Sequence, residues 1–458
     1  MDNEVTLGAR DVRTMIHPYT NLVKHAQDGP LIISGGDGIY VIDEAGNRYM
    51  EAMAGLWCAG LGFSEPRLAE AAYDQLKKLP FYHIFAGRSH QPGIELAERL
   101  VEMAPGDMAK VFFVNSGSEA NDTQVKIVRY YWGALGKPEK RKIIARTRAY
   151  HGVTMASASL TGLPYVHAGF QLPIEDIRHT MSPHYYREHL DGESEDAFAT
   201  RCAEELEKMI LAEGPETVGA FIAEPIIGAG GVIPPAAGYF EKIQAVTRKY
   251  DLLFIADEVI CGFGRTGNMF GSETYGIQPD SISIAKQLSA AYLPIAAVLV
   301  NKRIGEVITE RSGELGTFGH GYTYSGHPVC AAVALETLKI YDEIDVVARV
   351  RKLAPVFEER VARLAEKPLV GDTRAKGLIG AVEVMADGAK RVPFDAKDMM
   401  GMKVQLAAQK RGVLVRAIGD NVAFCPPMII EPEQIHDLFD VVADALDEVY
   451  VGLQAQAA

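Results

Sequence analysis

Lys286 stands in the run SISIAKQLSAAYLPIAAV, among few polar neighbours. An amine taken out of water loses proton affinity, and a neutral lysine amine attacks carbonyl carbons, so this residue is fitted to form Schiff bases. Asp257 closes another apolar run, LLFIA. Both residues read as lying at or just past the ends of buried parallel strands, and such ends open onto the crevice where α/β sheets bind ligands. Strand-end Asp and Lys residues also form plain ion pairs. A third element is NSGSEAND at 115–122, which follows the run KVFFV and opens a helical stretch to about Tyr131. Ser116 and Glu119 have the S-x-x-E spacing of a capping box. At such a helix start the free N–H groups and the positive dipole end attract phosphate, Gly117 admits close backbone approach, and the Ser118 hydroxyl adds a donor. Taken alone, the segment is equally a helix cap without a ligand.

One cofactor uses all three elements. Pyridoxal 5'-phosphate needs a phosphate site, a lysine for its aldehyde and a carboxylate for its pyridinium nitrogen. Asp257 would keep that nitrogen protonated and so make the ring an electron sink. Tyr150 and His151, after the run KIIA, are placed to supply an aromatic stacked on the ring. A competing match, GFGRTG at 262–267, fits the dinucleotide fingerprint G-x-G-x-x-G and follows a strand. That fingerprint requires a helix opening at the loop and an acid about 20 residues on. The sequence NMFGSETYGIQPD has no helical period, which argues against a nicotinamide or flavin site.

These residues need a large sheet to hold them. With 458 residues, the chain exceeds the ~250–300 that one core accommodates, so at least two packed units are expected. Short apolar runs at 110–114, 142–145, 218–223, 252–256, 281–285 and 296–300 alternate with helical stretches. They predict a mostly parallel sheet flanked by helices, with Phe240, Ile243, Val246 and Tyr250 marking one crossover helix. The segment 31–53 reads as antiparallel strands with tight turns. A long charged amphipathic helical stretch is expected from about Val329 to Glu366, followed by strands at 377–384, 413–415 and 422–424 and a final helix from about Glu433 to Val451. The expected division is an N-terminal segment, 1–60, packing with a smaller α/β domain, 329–458, beside a large cofactor domain, 61–328.

Composition narrows the partners. Hydrophobic residues at 48% and charged residues at 23% are those of a globular chain, which excludes disorder. A net charge of −14 opposes nucleic acid and anionic membrane surfaces. No apolar run spans a bilayer and the N-terminus lacks a signal-peptide core, so a cytoplasmic location is expected. The five scattered cysteines show no zinc spacing and are assigned neither to disulfides nor to a metal.

In order and spacing, NSGSEANDTQVK, AYHG, AEPIIGAGG, IADEVICGFGRTG, SIAKQLSAAYLPIAAV, HGYTYSGHP and VRAIGDN resemble the class III (omega) aminotransferases, among them the amine:pyruvate transaminases. The likeness runs from about His17 to Asp437. It implies the fold of type I pyridoxal-phosphate enzymes, with a mostly parallel seven-stranded sheet and a smaller α/β domain. Lys286 then matches the Schiff-base lysine, Asp257 the pyridinium partner, Tyr150 the stacking aromatic, and Val259 the apolar residue on the opposite ring face. Gly117 and Ser118 match the phosphate turn, and Glu224 a carboxylate behind the site. Thr323 matches a phosphate ligand from the other subunit, which implies a homodimer, or a tetramer built from it, with shared sites. Leu56, Trp57 and Ala229, with Phe85 from the partner chain, fall where the family lines its pocket. Arg416 resembles a mobile arginine that pairs with a keto-acid carboxylate, as the planar guanidinium suits.

The function so implied is a ping-pong transaminase that moves an amino group from a primary amine or ω-amino acid to pyruvate. A pyridoxal-phosphate mutase or decarboxylase of the same fold, or a non-catalytic pyridoxal-phosphate-binding protein, would share Lys286 and Asp257.

Overall fold

The computed structural model describes residues 6–457. Its fifteen strands form three sheets. Near the N-terminus β1 (Ile33–Asp37), β2 (Tyr40–Asp43) and β3 (Arg48–Glu51) pair antiparallel. The large sheet is built from β4 (Met108–Val114), β5 (Lys142–Arg146), β6 (Ile177–Thr180), β7 (Val218–Ala223), β8 (Leu253–Asp257), β9 (Ser281–Ile284) and β10 (Ala296–Asn301). The C-terminal part supplies β11 (Val370–Lys376), β12 (Ile379–Val384), β13 (Val413–Leu414), β14 (Arg416–Ile418) and β15 (Asn421–Phe424).

The seven-stranded sheet has the order β4-β10-β9-β8-β7-β5-β6, and only β10 runs against the others. Every residue of β7, β8, β9 and β10 is buried, which is why these strands read as unbroken apolar runs. Within β10 the pleat divides the side chains by period two. Ala297 and Leu299 join one apolar cluster, while Ala296, Val298 and Val300 join the cluster on the opposite face. The crossover helix Tyr239–Lys249 buries Phe240 and Ile243 as its spacing predicts.

Three strands escape the sequence reading, and all are sheet edges. β6, IRHT, ends the large sheet; β11, VGDTRAK, and β14, RAI, are the two edges of the sheet β11-β12-β15-β14. An edge strand is solvated on one flank and carries polar residues, so the apolar signal is missing. β13 leaves that sheet's neighbourhood and pairs in parallel with β3, aligning Val413 with Met50.

The expected long amphipathic stretch is two helices. Pro328–Glu343 is largely buried and keeps its charges, Glu336, Lys339, Asp342 and Glu343, on one face, while Val346–Arg363 is charged along much of its length. They part at Asp345, whose φ of 43° ends the first while its side chain caps the second through Ala348 N at 3.2 Å. The largest apolar cluster is continuous from Phe113, Ile282 and Leu299, through Val333 and Tyr341, to Val382, Phe424 and Phe439. Both sheets thus close on one shared core.

The loop 262–267 contains turns and opens no long helix. Its Arg265 is fully buried and donates through Nη1 to the carbonyl oxygens of Leu378 (3.0 Å) and Pro426 (2.6 Å). This motif fastens the C-terminal sheet to the large one.

Candidate active site

Strands β4, β5, β7, β8 and β9 point the same way, so their carboxyl ends share one edge. Asp257 is the last residue of β8, and Glu224 is the first past β7. Ser116, Gly117 and Ser118 follow β4, Tyr150 and His151 follow β5, and Lys286 follows β9. Residues 293–295 reach the same edge because β10 is antiparallel and begins there. Together they line a cavity of about 560 Å³, a volume suited to a small molecule.

Lys286 leaves β9 with φ 49°, and Ala290 and Ala291 follow with φ 47° and 68°. Each left-handed non-glycine residue costs about 1–2 kcal/mol, strain that surrounding packing must hold. Burial pushes the Lys286 amine below its ordinary range, and the Asp257 charge is the strongest influence opposing it. Asp257 is 3% exposed, and its carboxylate is fixed from three sides. Asn121 Nδ2 donates to Oδ2 at 2.7 Å, His151 Nδ1 lies 2.8 Å from the same oxygen, and Val259 N donates to Oδ1 at 3.1 Å. Glu224 accepts from Tyr150 N at 3.0 Å and Gly228 N at 2.9 Å, while burial raises its proton affinity. It therefore holds the backbone beneath Tyr150.

The helix Gly117–Ala134 begins as expected with Ser116 as cap, its Oγ accepting from Glu119 N at 3.2 Å. The capping box, however, is half formed. Glu119 Oε2 accepts from Asn115 N (2.7 Å) and Asn115 Nδ2 (2.9 Å) instead of Ser116 N–H. Asn115 offers two donors to one oxygen, and the first-turn N–H groups stay directed at the cavity, where a helix has no internal acceptor for them. Ser118 Oγ accepts from Val153 N at 3.1 Å, which leaves its own hydrogen to donate. A Cβ at Gly117 would lie 3.1 Å from Val259 Cγ1, and one at Gly152, where φ is 134°, would lie 2.6 Å from Ser118 Oγ.

Leu56, Ser116, Gly117, Ser118, Tyr150, His151, Glu224, Asp257, Val259 and Lys286 all line the cavity. The other expected residues lie elsewhere. Trp57 is 2% exposed and packs in a cluster with Met53, Ile226 and Ile260, and Ala229 is also buried outside the lining. Trp57 is turned inward by φ 67° in a strained turn, Ala54–Trp57, that Glu51 secures by accepting from Met53 N and Gly55 N. Phe85 lines a separate surface cavity, and Gly321 of the Thr323 loop lies against its ring. Both Phe85 and Thr323 are exposed. Arg416 opens β14 and is half-buried; its charge acts on Tyr150 and Lys286, and its side chain makes no hydrogen bond or ion pair among the described residues.

Sequence reasoning missed Asn121, Cys58, Tyr19 and Glu51. Asn121 sits one turn into the helix that starts at Gly117, a position a helical wheel could have offered. Cys58, the one cysteine of the five that is not fully buried, lines the cavity. Tyr19 comes from an N-terminal arm and sets its hydroxyl 3.4 Å from that of Tyr150; no local pattern announces this.

The sequence profile of the family described as Aminotransferase class-III matches residues 23–446. The chain belongs to the class III aminotransferases. Among solved structures it is similar to the omega transaminase from Pseudomonas jessenii in complex with PMP, at 54% identity and a TM-score of 0.96, covering 97% of this chain and 98% of that one. A thermostable omega transaminase variant engineered for asymmetric synthesis of enantiopure bulky amines matches at 53% identity with the same TM-score, over 97% and 99% of the two chains. Among curated relatives, gamma-aminobutyrate transaminase 1, mitochondrial, of Oryza sativa subsp. indica is 52% identical over 94% of this chain and 84% of its own.

Class III aminotransferases depend on pyridoxal phosphate, and the cavity of this member fits that group. The small residues Gly117 and Gly152 leave space where a Cβ would intrude beside the helix N-terminus. Among the described residues, Asn121 Oδ1 and His151 Nε2 are buried polar atoms without hydrogen-bond partners around Asp257, so the setting of that carboxylate is polar. A desolvated amine, a buried carboxylate and a helix N-terminus are the donor set an aldehyde, a pyridinium and a phosphate require.

Proposed function

We propose that this aminotransferase takes the amino group of a primary amine or ω-amino acid and gives it to pyruvate, with Lys286 as the catalytic base and nucleophile. The observation that carries this is the convergence of Lys286, Asp257 and the Gly117 helix start on one cavity, with the cation of Arg416 near enough to act on Lys286. Bound pyridoxal phosphate supplies an aldehyde and an electron-withdrawing ring. Lys286 would hold the cofactor through its Nζ, with water leaving from the aldehyde, and once freed would serve as the base that moves a proton between a substrate carbon and a cofactor carbon. Asp257 presents a carboxylate oxygen to a protonated ring nitrogen, and Asn121, His151 and Val259 N–H keep it from turning away. Tyr150 and Val259 offer an aromatic and an apolar face to the ring. Ser116, Gly117 and Ser118 receive the phosphate.

Arg416 supports the acceptor assignment. A guanidinium with no hydrogen-bond or ion-pair partner among the described residues is available to a keto-acid carboxylate and can retract for amines that lack one. The engineered thermostable variant replaces a tryptophan, a phenylalanine and an arginine whose numbers each stand one above Trp57, Phe85 and Arg416 here. This supports the assignment of Phe85 to substrate size and Arg416 to substrate charge, while Trp57 is buried outside the cavity lining of this chain. The gamma-aminobutyrate transaminases favour ω-amino acids among the donors.

Phe85 and Thr323 support a homodimer. Phe85 lies against Gly321, two residues before Thr323, on an exposed surface that also carries Phe81, Tyr82 and Tyr324, and neither Phe85 nor Thr323 lines the cavity of its own chain. A second copy presenting that surface would bring a phosphate ligand and an apolar wall to the site.

The deciding experiment is two half-reactions on purified holoenzyme. The visible band bleaches with an amine donor and returns with pyruvate, and Lys286→Ala does neither at a useful rate. Carbon dioxide release, or amine migration without an acceptor, would instead indicate the decarboxylase or mutase reading.

A further inference from the structure

The N-terminal arm presents a problem of stability. Its two helices, Leu7–Thr14 and Leu22–Asp28, contain no buried residue. Apolar burial, the usual source of helix stability in proteins, is therefore not what holds them. What joins them is a polar clasp. Asp11 of the first helix, His17 of the connecting loop and His25 of the second helix meet at one point. His17 Nε2 lies 3.0 Å from Asp11 Oδ1 and 2.9 Å from Oδ2, and His25 Nε2 lies 3.0 Å from Oδ2. The two imidazole rings are 4.3 Å apart, centroid to centroid. The side chains are 27% (His17), 16% (Asp11) and 11% (His25) exposed, so the cluster is sheltered and still open to small ions.

We propose that Asp11, His17 and His25 bind a divalent transition metal, with zinc as its representative. Two imidazole nitrogens and a carboxylate are the three-protein-ligand set of open zinc sites, in which water completes the sphere. Metal–ligand bonds of about 2.0–2.1 Å at tetrahedral angles put neighbouring donor atoms about 3.3 Å apart. The present separations of 2.9–3.0 Å between the carboxylate and each Nε2 need only a few tenths of an ångström of expansion. Imidazole donors favour zinc, nickel, cobalt and copper over magnesium and calcium. The metal takes the Nε2 lone pairs, so each imidazole carries its proton on Nδ1.

The site has a consequence for catalysis. Between the two histidines the loop carries Tyr19, whose hydroxyl meets that of Tyr150 and whose ring also packs edge-on against Tyr165. Metal binding would tie the arm into a closed loop and hold Tyr19 over the cavity mouth.

Chelator-treated holoenzyme is titrated with zinc sulfate and, separately, with cobalt sulfate. One zinc per chain is expected, with a cobalt visible spectrum of low coordination number and slower tryptic cleavage at Arg10, Arg13 and Lys24. His25→Asn is the informative variant. Its amide N–H can still donate to Asp11 and keep the clasp, yet it offers no ring nitrogen. It should lose zinc affinity at least tenfold and show no zinc-dependent protection of the arm. Zinc binding by His25→Asn and by His17→Ala equal to that of the wild type, or no stoichiometric binding by the wild type, would overturn the proposal. In the latter case the clasp is held by hydrogen bonds alone.

Discussion

His151 Nδ1 lies 2.8 Å from Asp257 Oδ2, and solvent reaches neither side chain appreciably. An ionised carboxylate only accepts, so the proton of this contact belongs to Nδ1. A hydrogen bond to a charged group is worth about 1.5–3 kcal/mol. With 1.36 kcal/mol per tenfold in rate, His151→Ala should lower turnover roughly 10- to 100-fold with little change in KM. Asp257→Asn removes the charge itself and should cost more, about 10³-fold. Steady-state kinetics with one amine donor and pyruvate measures both. Wild-type turnover in His151→Ala would show that Asp257 needs no partner there.

Arg416 should matter to one half-reaction only. Arg416→Ala is expected to raise KM for pyruvate by roughly 10- to 100-fold, the loss of a charge-assisted pair. The KM for an amine without a carboxylate should hardly move. An equal rise for both substrates would assign Arg416 to the framework of the pocket.

Gly152→Ala should weaken cofactor retention more than Gly117→Ala. Gly152 has φ 134°, and its new Cβ would lie 2.6 Å from Ser118 Oγ and 2.8 Å from Ser118 Cα, which is backbone. At Gly117 the nearest atoms belong to the Val259 side chain at 3.1 and 3.2 Å, which can shift slightly. Equilibrium dialysis of pyridoxal phosphate should show at least a tenfold loss for Gly152→Ala, with about 1–3 kcal/mol of destabilisation from backbone strain. Tighter retention by Gly152→Ala than by Gly117→Ala would contradict the geometry.

Glu258 gives a pH test of stability. It is fully buried behind Asp257 and accepts from Gly271 N (2.9 Å), Ser272 N (2.6 Å) and Ser272 Oγ (2.6 Å). Burial pushes its pKa from 4.5 up to about 7. A folded pKa above the unfolded one means the native state binds the proton more tightly. The stabilisation is full below about 4.5 and is lost as the pH rises through about 7. The difference in Tm between wild type and Glu258→Gln should therefore move in favour of the wild type as pH falls from 8 to 5. Thermal unfolding across that range measures it, and a constant difference would mean Glu258 does not titrate there.

Much of the site was legible in the chain because its residues sit where local signals are strongest. Buried strands such as β7 and β8 are continuous apolar runs, and the residue that ends each one marks the sheet edge. Asp257, Lys286 and the Ser116 cap could be found that way, as could the fold class. The polar strands β6, β11 and β14 could not, since each lies at a sheet edge and is only partly buried over at least half of its residues.

The order of apolar runs, the helix cap and the three chemical groups therefore fixed what this chain could bind and which family it belongs to. Tertiary structure alone decided the rest. It sent Trp57 into the core, gave Asp257 its partners Asn121 and His151, and brought Tyr19 across 131 positions of chain to Tyr150. These are contacts between distant segments, and their energy depends on packing and desolvation at one point in space, which no local pattern of residues encodes.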